Sequence, residues 1–187
     1  MLTVITAPSV EPITLAEAKS HCRIDADISE HDDILNLLIQ SARELAEHET
    51  GRALITQTLQ LLEPAIVSRF KLRKPPFIAI TSVVAIDSLG AETALAPTDY
   101  YVDSARLMPE LVIKAMPAGA VLIKAQYTAG YGSASQAVPA AIRRWILMHV
   151  NTQFEHRESV VVGSSPVQMP TPFIEGQLDP YRVHSGF

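Results

Sequence analysis

The feature that most limits what this chain can fold into is a change of hydrophobic period that happens twice. Apolar residues recur at helical spacing through roughly the first 50 positions, alternate at strand spacing from about Leu54 to Thr128, and return to helical spacing after Pro139. A β segment of about 75 residues held between helices, in a chain of 187, predicts one α+β domain rather than two independent ones.

The first helix has a marked start. Thr14 and Glu17 form a capping-box pattern, with Leu15, Ala18 and Cys22 following at helical spacing to an end near Arg23. Asp25 and Asp27 lie in the connection to a second helix, expected to begin near Ser29 with Asp32 completing another capping box. There Leu35, Leu38, Ala42 and Leu45 predict one buried stripe, widened by Ile34, Ile39 and Ala46. Gly51 suits a left-handed cap after the last turn.

In the β region, Phe70 and Leu72 alternate with Arg69, Lys71 and Arg73 until Pro75 and Pro76 interrupt. Ile78–Ile86 reads as a buried strand, and residues 89–92 as a turn before a short strand near Leu95. Tyr100–Val102 and Leu111–Lys114 are weaker strands. Val121, Ile123, Ala125 and Tyr127 alternate with Leu122, Lys124, Gln126 and Thr128 in a final one. A third helix is expected from Pro139 to about Arg157, with Ile142, Trp145, Ile146, His149, Val150 and Phe154 on one side. The expected plan is 1–53 for the N-terminal helices, 54–128 for the β insertion, 129–158 for the long helix, and 159–187 for an extended, proline-rich tail.

Composition matters where it bears on function. A single cysteine permits no internal disulfide, no run approaches the roughly 18 apolar residues of a membrane span, and Met1–Pro8 carries no secretory pattern, so a cytoplasmic protein is expected. The net charge of −5 runs against a dedicated nucleic-acid binder.

A search for chemistry ends without a catalytic constellation. Gly130–Tyr131–Gly132 lacks the third glycine of a dinucleotide fingerprint, since position 135 is Ser135. Val162–Gly163–Ser164–Ser165–Pro166 is no nucleophile elbow. His149 and His156 lie about 10 Å apart along a helix, too far to share an ion. Glu44 and His48 suit a surface pair, Cys22 a buried structural thiol, and Asp32–Asp33 and Glu47–Glu49 helix-start charge and a solvated face. No cofactor and no metal site are expected. Two features remain. Arg69, Lys71, Arg73 and Lys74 form a basic run, with Arg69, Lys71 and Arg73 on one strand face; a solvated face is the first reading, and contact with an acidic partner or with DNA phosphate the alternatives. The tail residues Val160, Val161, Val162, Val167, Met169, Phe173 and Ile174 are too apolar to stay in solvent. Their prolines forbid a long element, so the segment should lie extended along its own domain or a partner.

Placed in order, these pieces resemble a known family. The resemblance runs through Ile13–Thr14–Leu15–Ala16–Glu17–Ala18–Lys19, Asp32–Asp33–Ile34–Leu35, Thr50–Gly51–Arg52–Ala53–Leu54 and Lys74–Pro75–Pro76. It continues in Tyr127–Thr128–Ala129–Gly130–Tyr131–Gly132, Val138–Pro139–Ala140–Ala141–Ile142–Arg143, Glu155–His156–Arg157–Glu158 and Pro180–Tyr181–Arg182. Their joint order is similar to the head–tail connector proteins of tailed bacteriophages, in the branch whose helical core carries a β insertion. The resemblance implies a non-enzymatic subunit of the virion neck, made in the bacterial cytoplasm. It would form an adaptor ring under the portal protein, extend the DNA channel and receive the next neck or tail completion protein. It implies a homo-oligomer of roughly twelve copies, duplex DNA passing without tight binding, no membrane, and portal docking by the tail, including Tyr181 and Arg182. Two rivals stay open: a DNA-binding packaging accessory protein using the basic strand, and a small hydrolase or metalloenzyme.

Overall fold

The computed structural model describes residues 1–156 and 176–183. The architecture is α+β, and the chain divides into two compact units. One takes in Met1–Ser9 and Gly51–Ser133, the other Val10–Thr50 and Ala134–Gly186.

The second unit is helical. Helix α1 (Leu15–His21) opens with a complete capping box. The Glu17 backbone N–H donates to Thr14 Oγ1 at 3.2 Å, and the Thr14 backbone N–H donates to Glu17 Oε2 at 2.8 Å. Helix α2 (Asp32–Thr50) begins three residues later than expected, because the Asp32 carboxylate is engaged elsewhere. Lys19 of α1, 7% exposed, reaches Asp32 Oδ1 at 2.6 Å and donates to the carbonyls of Ile28 at 2.7 Å and Ala26 at 3.4 Å. One ammonium thus gathers the connection between the two helices, and the buried charge is offset by its oxygen partners.

The buried line of α2 also differs from expectation. Leu35, Ile39, Ala42 and Ala46 are buried, but so are Arg43, Glu47 and Thr50, while Leu38 is half-buried and Ile34 and Leu45 are exposed. Apolar residues occupy positions 34, 35, 37, 38 and 39, so periodicity alone left the facing direction ambiguous. Arg43 decides it: its Nε donates to Glu11 Oε2 at 2.7 Å, and Glu47 stands 3.9 Å away on the next turn. Glu47, 3% exposed, therefore does not belong to a solvated face. Gly51, at φ +67°, follows the last turn as expected.

Helix α3 (Ala140–Glu155) buries Ile142, Trp145, Ile146 and Val150, and leaves His149 and Phe154 half-buried. It ends two residues short of the expected Arg157. Arg143 ties α3 to α1 by pairing with Glu17 and donating to the Pro12 carbonyl at 3.0 Å.

The first unit is built from antiparallel strands. Strands β1 (Leu2–Thr6), β2 (Gln57–Pro64), β4 (Phe77–Asp87), β5 (Glu92–Ala94) and β8 (Ala120–Ala129) form a sheet in the order β1-β2-β8-β4-β5. Strands β3 (Arg69–Lys71), β6 (Tyr100–Asp103) and β7 (Glu110–Ile113) form a second, in the order β3-β7-β6. Their inner faces share one core of Leu59, Leu61, Phe70, Leu72, Val83, Leu111, Ile123 and Tyr127, among others. Within β8, Ile123, Ala125, Tyr127 and Ala129 are buried while the residues between them are half-buried, the mark of a sheet with one face toward a core. The register sets Leu59 opposite Tyr127 and Val83 opposite Ala125.

Strand β4 corrects the expectation of a wholly buried Ile78–Ile86. Only Val83 and Ala85 are buried, and Ile78 is 48% exposed, because a β-branched run marks strand conformation and not two-sided burial. Strands β1 and β2 were not singled out from the sequence.

Candidate assembly surface

The basic run keeps its alternation. Arg69, Lys71 and Arg73 are exposed, Phe70 and Leu72 buried, and Lys74 is half-buried with φ +58°. Its charge, however, is largely answered within the same unit. Lys71 lies opposite Glu110 in the register, and Asp103 lies opposite Glu110 from the other side. Arg69 Nη1 stands 3.2 Å from Glu110 and 3.9 Å from Asp103, Arg106 stands 3.5 Å from Glu110, and Arg73 pairs with Glu63 at 3.1 Å. Lys71 alone of Arg69, Lys71 and Arg73 makes no ion pair among the described residues. A phosphate-gripping face needs a surplus of positive charge, and this one is mixed.

Of the proposed docking tail, Val160, Val161, Val162, Val167, Met169, Phe173 and Ile174 lie outside the described residues. Tyr181 and Arg182 are described, and Arg182 is tied to α2. A 3-10 turn at Asp179–Tyr181 follows Leu178, which is 1% exposed. Arg182 pairs with Glu49 of α2 at 3.0 Å and with Asp179 at 3.2 Å, and the Val183 N–H donates to the Thr50 carbonyl at 2.8 Å. The anchoring role of Leu178 went unread because an isolated leucine among Gly, Asp and Pro carries no periodic signal.

The outer face of α2 carries three exposed apolar residues among polar ones: Ile34 is 40% exposed, Leu37 60% and Leu45 36%. Burial pushes the Cys22 thiol above its usual range, with Glu155 adding to the effect, as suits an inert structural cysteine. Gly130 has a packing reason. A Cβ there would lie 2.5 Å from the Ile55 carbonyl carbon and 2.6 Å from its oxygen, at φ +136°. The glycine lets two backbones touch, with the Tyr131 N–H donating to Leu54 and the Thr56 N–H to Gly132. Among the described residues no group of three His, Cys, Asp or Glu could hold a metal ion, and no helix is long and apolar enough to cross a membrane.

Comparison with known proteins gives a family match over part of the chain. Residues 12–87 match the family model described as phage gp6-like head-tail connector protein. The resemblance read from the sequence is borne out. The span matched to the connector family holds α1, the Lys19 junction, α2 with its exposed apolar residues, and the basic strand β3. Solved structures agree in fold over the whole length. A chain from the neck of an empty gene transfer agent particle, computed with C6 symmetry, superposes with a TM-score of 0.82 at 21% identity, covering 100% of this chain and 97% of that one. A chain of the native gene transfer agent virion gives 0.82 at 20% identity, and one from the native neck computed with C12 symmetry gives 0.75 at 22%, with the same coverage. Among curated proteins no match is found.

Proposed function

We propose that this chain is a structural subunit of the head–tail connector of a phage-like particle, located in the neck and without enzymatic activity. The connector-family match over residues 12–87 carries the reading, and the full-length likeness to neck chains of gene transfer agent particles supports it. In its finer form, about twelve copies form an adaptor ring under the portal protein, as closed cyclic assemblies favour. The ring lengthens the DNA channel and receives the next neck or tail completion protein. The two compact units act together as one subunit. Segment 160–174, with Val160, Val161, Val162, Val167, Met169, Phe173 and Ile174, docks on the portal. Many such arms engaged at once give firm attachment without any one strong contact.

The mixed charge around Arg69, Lys71 and Arg73 weighs against the packaging accessory protein, since DNA must slide past a connector and not be held by it. Deleting the gene from its phage or prophage tests the proposal. The expected result is DNA-filled heads and separate tails, rejoined when the gene is supplied in trans. Normal tailed particles from the deletion would overturn it.

A further inference from the structure

Two helices of the second unit carry matching stripes on surfaces that the unit itself does not cover. On α2, Ile34, Leu38, Ser41 and Leu45 recur at spacings of four, three and four, with Leu37 beside them. On α3, Ala140, Arg144, Leu147 and Asn151 recur at the same spacings, with Arg144 exposed and Leu147 and Asn151 half-buried. Spacings of four, three and four keep such residues on one face of a helix, the arrangement against which a second helix packs.

Charge selects the partner. The apolar stripe of α2 is bordered by the exposed carboxylates Asp33 and Glu44, and among the described residues Glu44 is met by Gln40 and by Arg43 at 3.4 Å. Two α2 stripes packed antiparallel about a two-fold axis would set these acids against their own copies. Arg144, in contrast, has no carboxylate partner among the described residues, and Ala140 and Leu147 flank it within one turn. We propose that the outer face of α2 in one copy docks on the outer face of α3 in the next, with Glu44 toward Arg144. Contact between two different patches of one chain propagates head to tail, and it closes into a ring when its rotation allows. The inference rests on the connector reading and assigns it a subunit interface.

Particles carrying a Cys22→Ser background provide the test, because Cys22 is the sole cysteine. Ser41→Cys and Leu147→Cys place thiols near the middle of each stripe, so a short bismaleimide should join them whichever way the helices run. The expected result is a ladder of multimers from the double variant, none from either single variant, and loss of the ladder when Arg144→Glu is added. Dimers from Ser41→Cys alone would show α2 pairing with itself and overturn the interface. So would absence of a ladder in particles that contain the protein, which leaves the connector reading intact. Absence of the protein from particles would sink the connector reading, and this interface with it.

Discussion

Glu17 stands where three kinds of local information meet: a cap, an ion pair and a helix start. The Thr14 backbone N–H, aided by the Thr14 hydroxyl and by Arg143, holds the Glu17 carboxyl below its ordinary range against a smaller cost of desolvation. A lowered carboxylate pKa means that the unfolded chain binds the proton more readily. The resulting stability is fully present above the unfolded value of about 4.5 and is lost as pH falls below it. Glu17→Gln is therefore expected to lower the melting temperature at pH 7, with the gap to wild type narrowing as the pH falls below about 4.5. A gap that stays constant through this range would remove the charge from the account and leave only the hydrogen bond. The cap was legible in the sequence because its partners are three residues apart. The burial of Lys19 was not, because its oxygens include the carbonyls of Ala26 and Ile28, and a carbonyl has no sequence identity.

Among the elements, the sequence placed α1 and α3 well and found strand β8, since a single period runs through each, although Val121 at its start is 44% exposed. It misjudged the facing of α2, where five apolar residues crowd positions 34–39 and the buried line includes Arg43 and Glu47. Strand β1 was missed because its residues are mostly exposed and do not alternate; its pairing with β2 gives it shape. The chain after residue 175 was read as part of a docking tail, whereas Leu178 and Arg182 pack on the helices. Leu178→Ala should cost about 2–5 kcal/mol, the range for emptying a buried leucine site, as read from urea unfolding. Replacing the apolar residues of 160–174 by serine should leave the urea midpoint near wild type while abolishing attachment to heads. The opposite pattern would move the docking function away from that segment. At β3, the mixed charge predicts DNA affinity weaker than about micromolar near physiological salt. Tighter binding in a gel shift, lost in Lys71→Glu, would favour the packaging rival.

For the whole molecule, what the sequence made legible was the plan: helices, β insertion, helix, and a proline-rich end in the order of a connector subunit. Assembly surfaces were harder to see, because an exposed leucine on α2 and a buried one have the same letter, and only the pairing of Arg43 with Glu11 tells them apart. The same ambiguity hides interfaces in any subunit that completes its burial by assembling. The central claim is that this chain occupies the particle neck. A cryo-EM reconstruction of the neck, from particles of the phage or prophage that carries the gene, tests it most directly. The account predicts a ring of this fold between the portal and the first tail protein, with α2 of each copy against α3 of the next. A neck fully accounted for by other chains, with this protein absent from the particle, would contradict it.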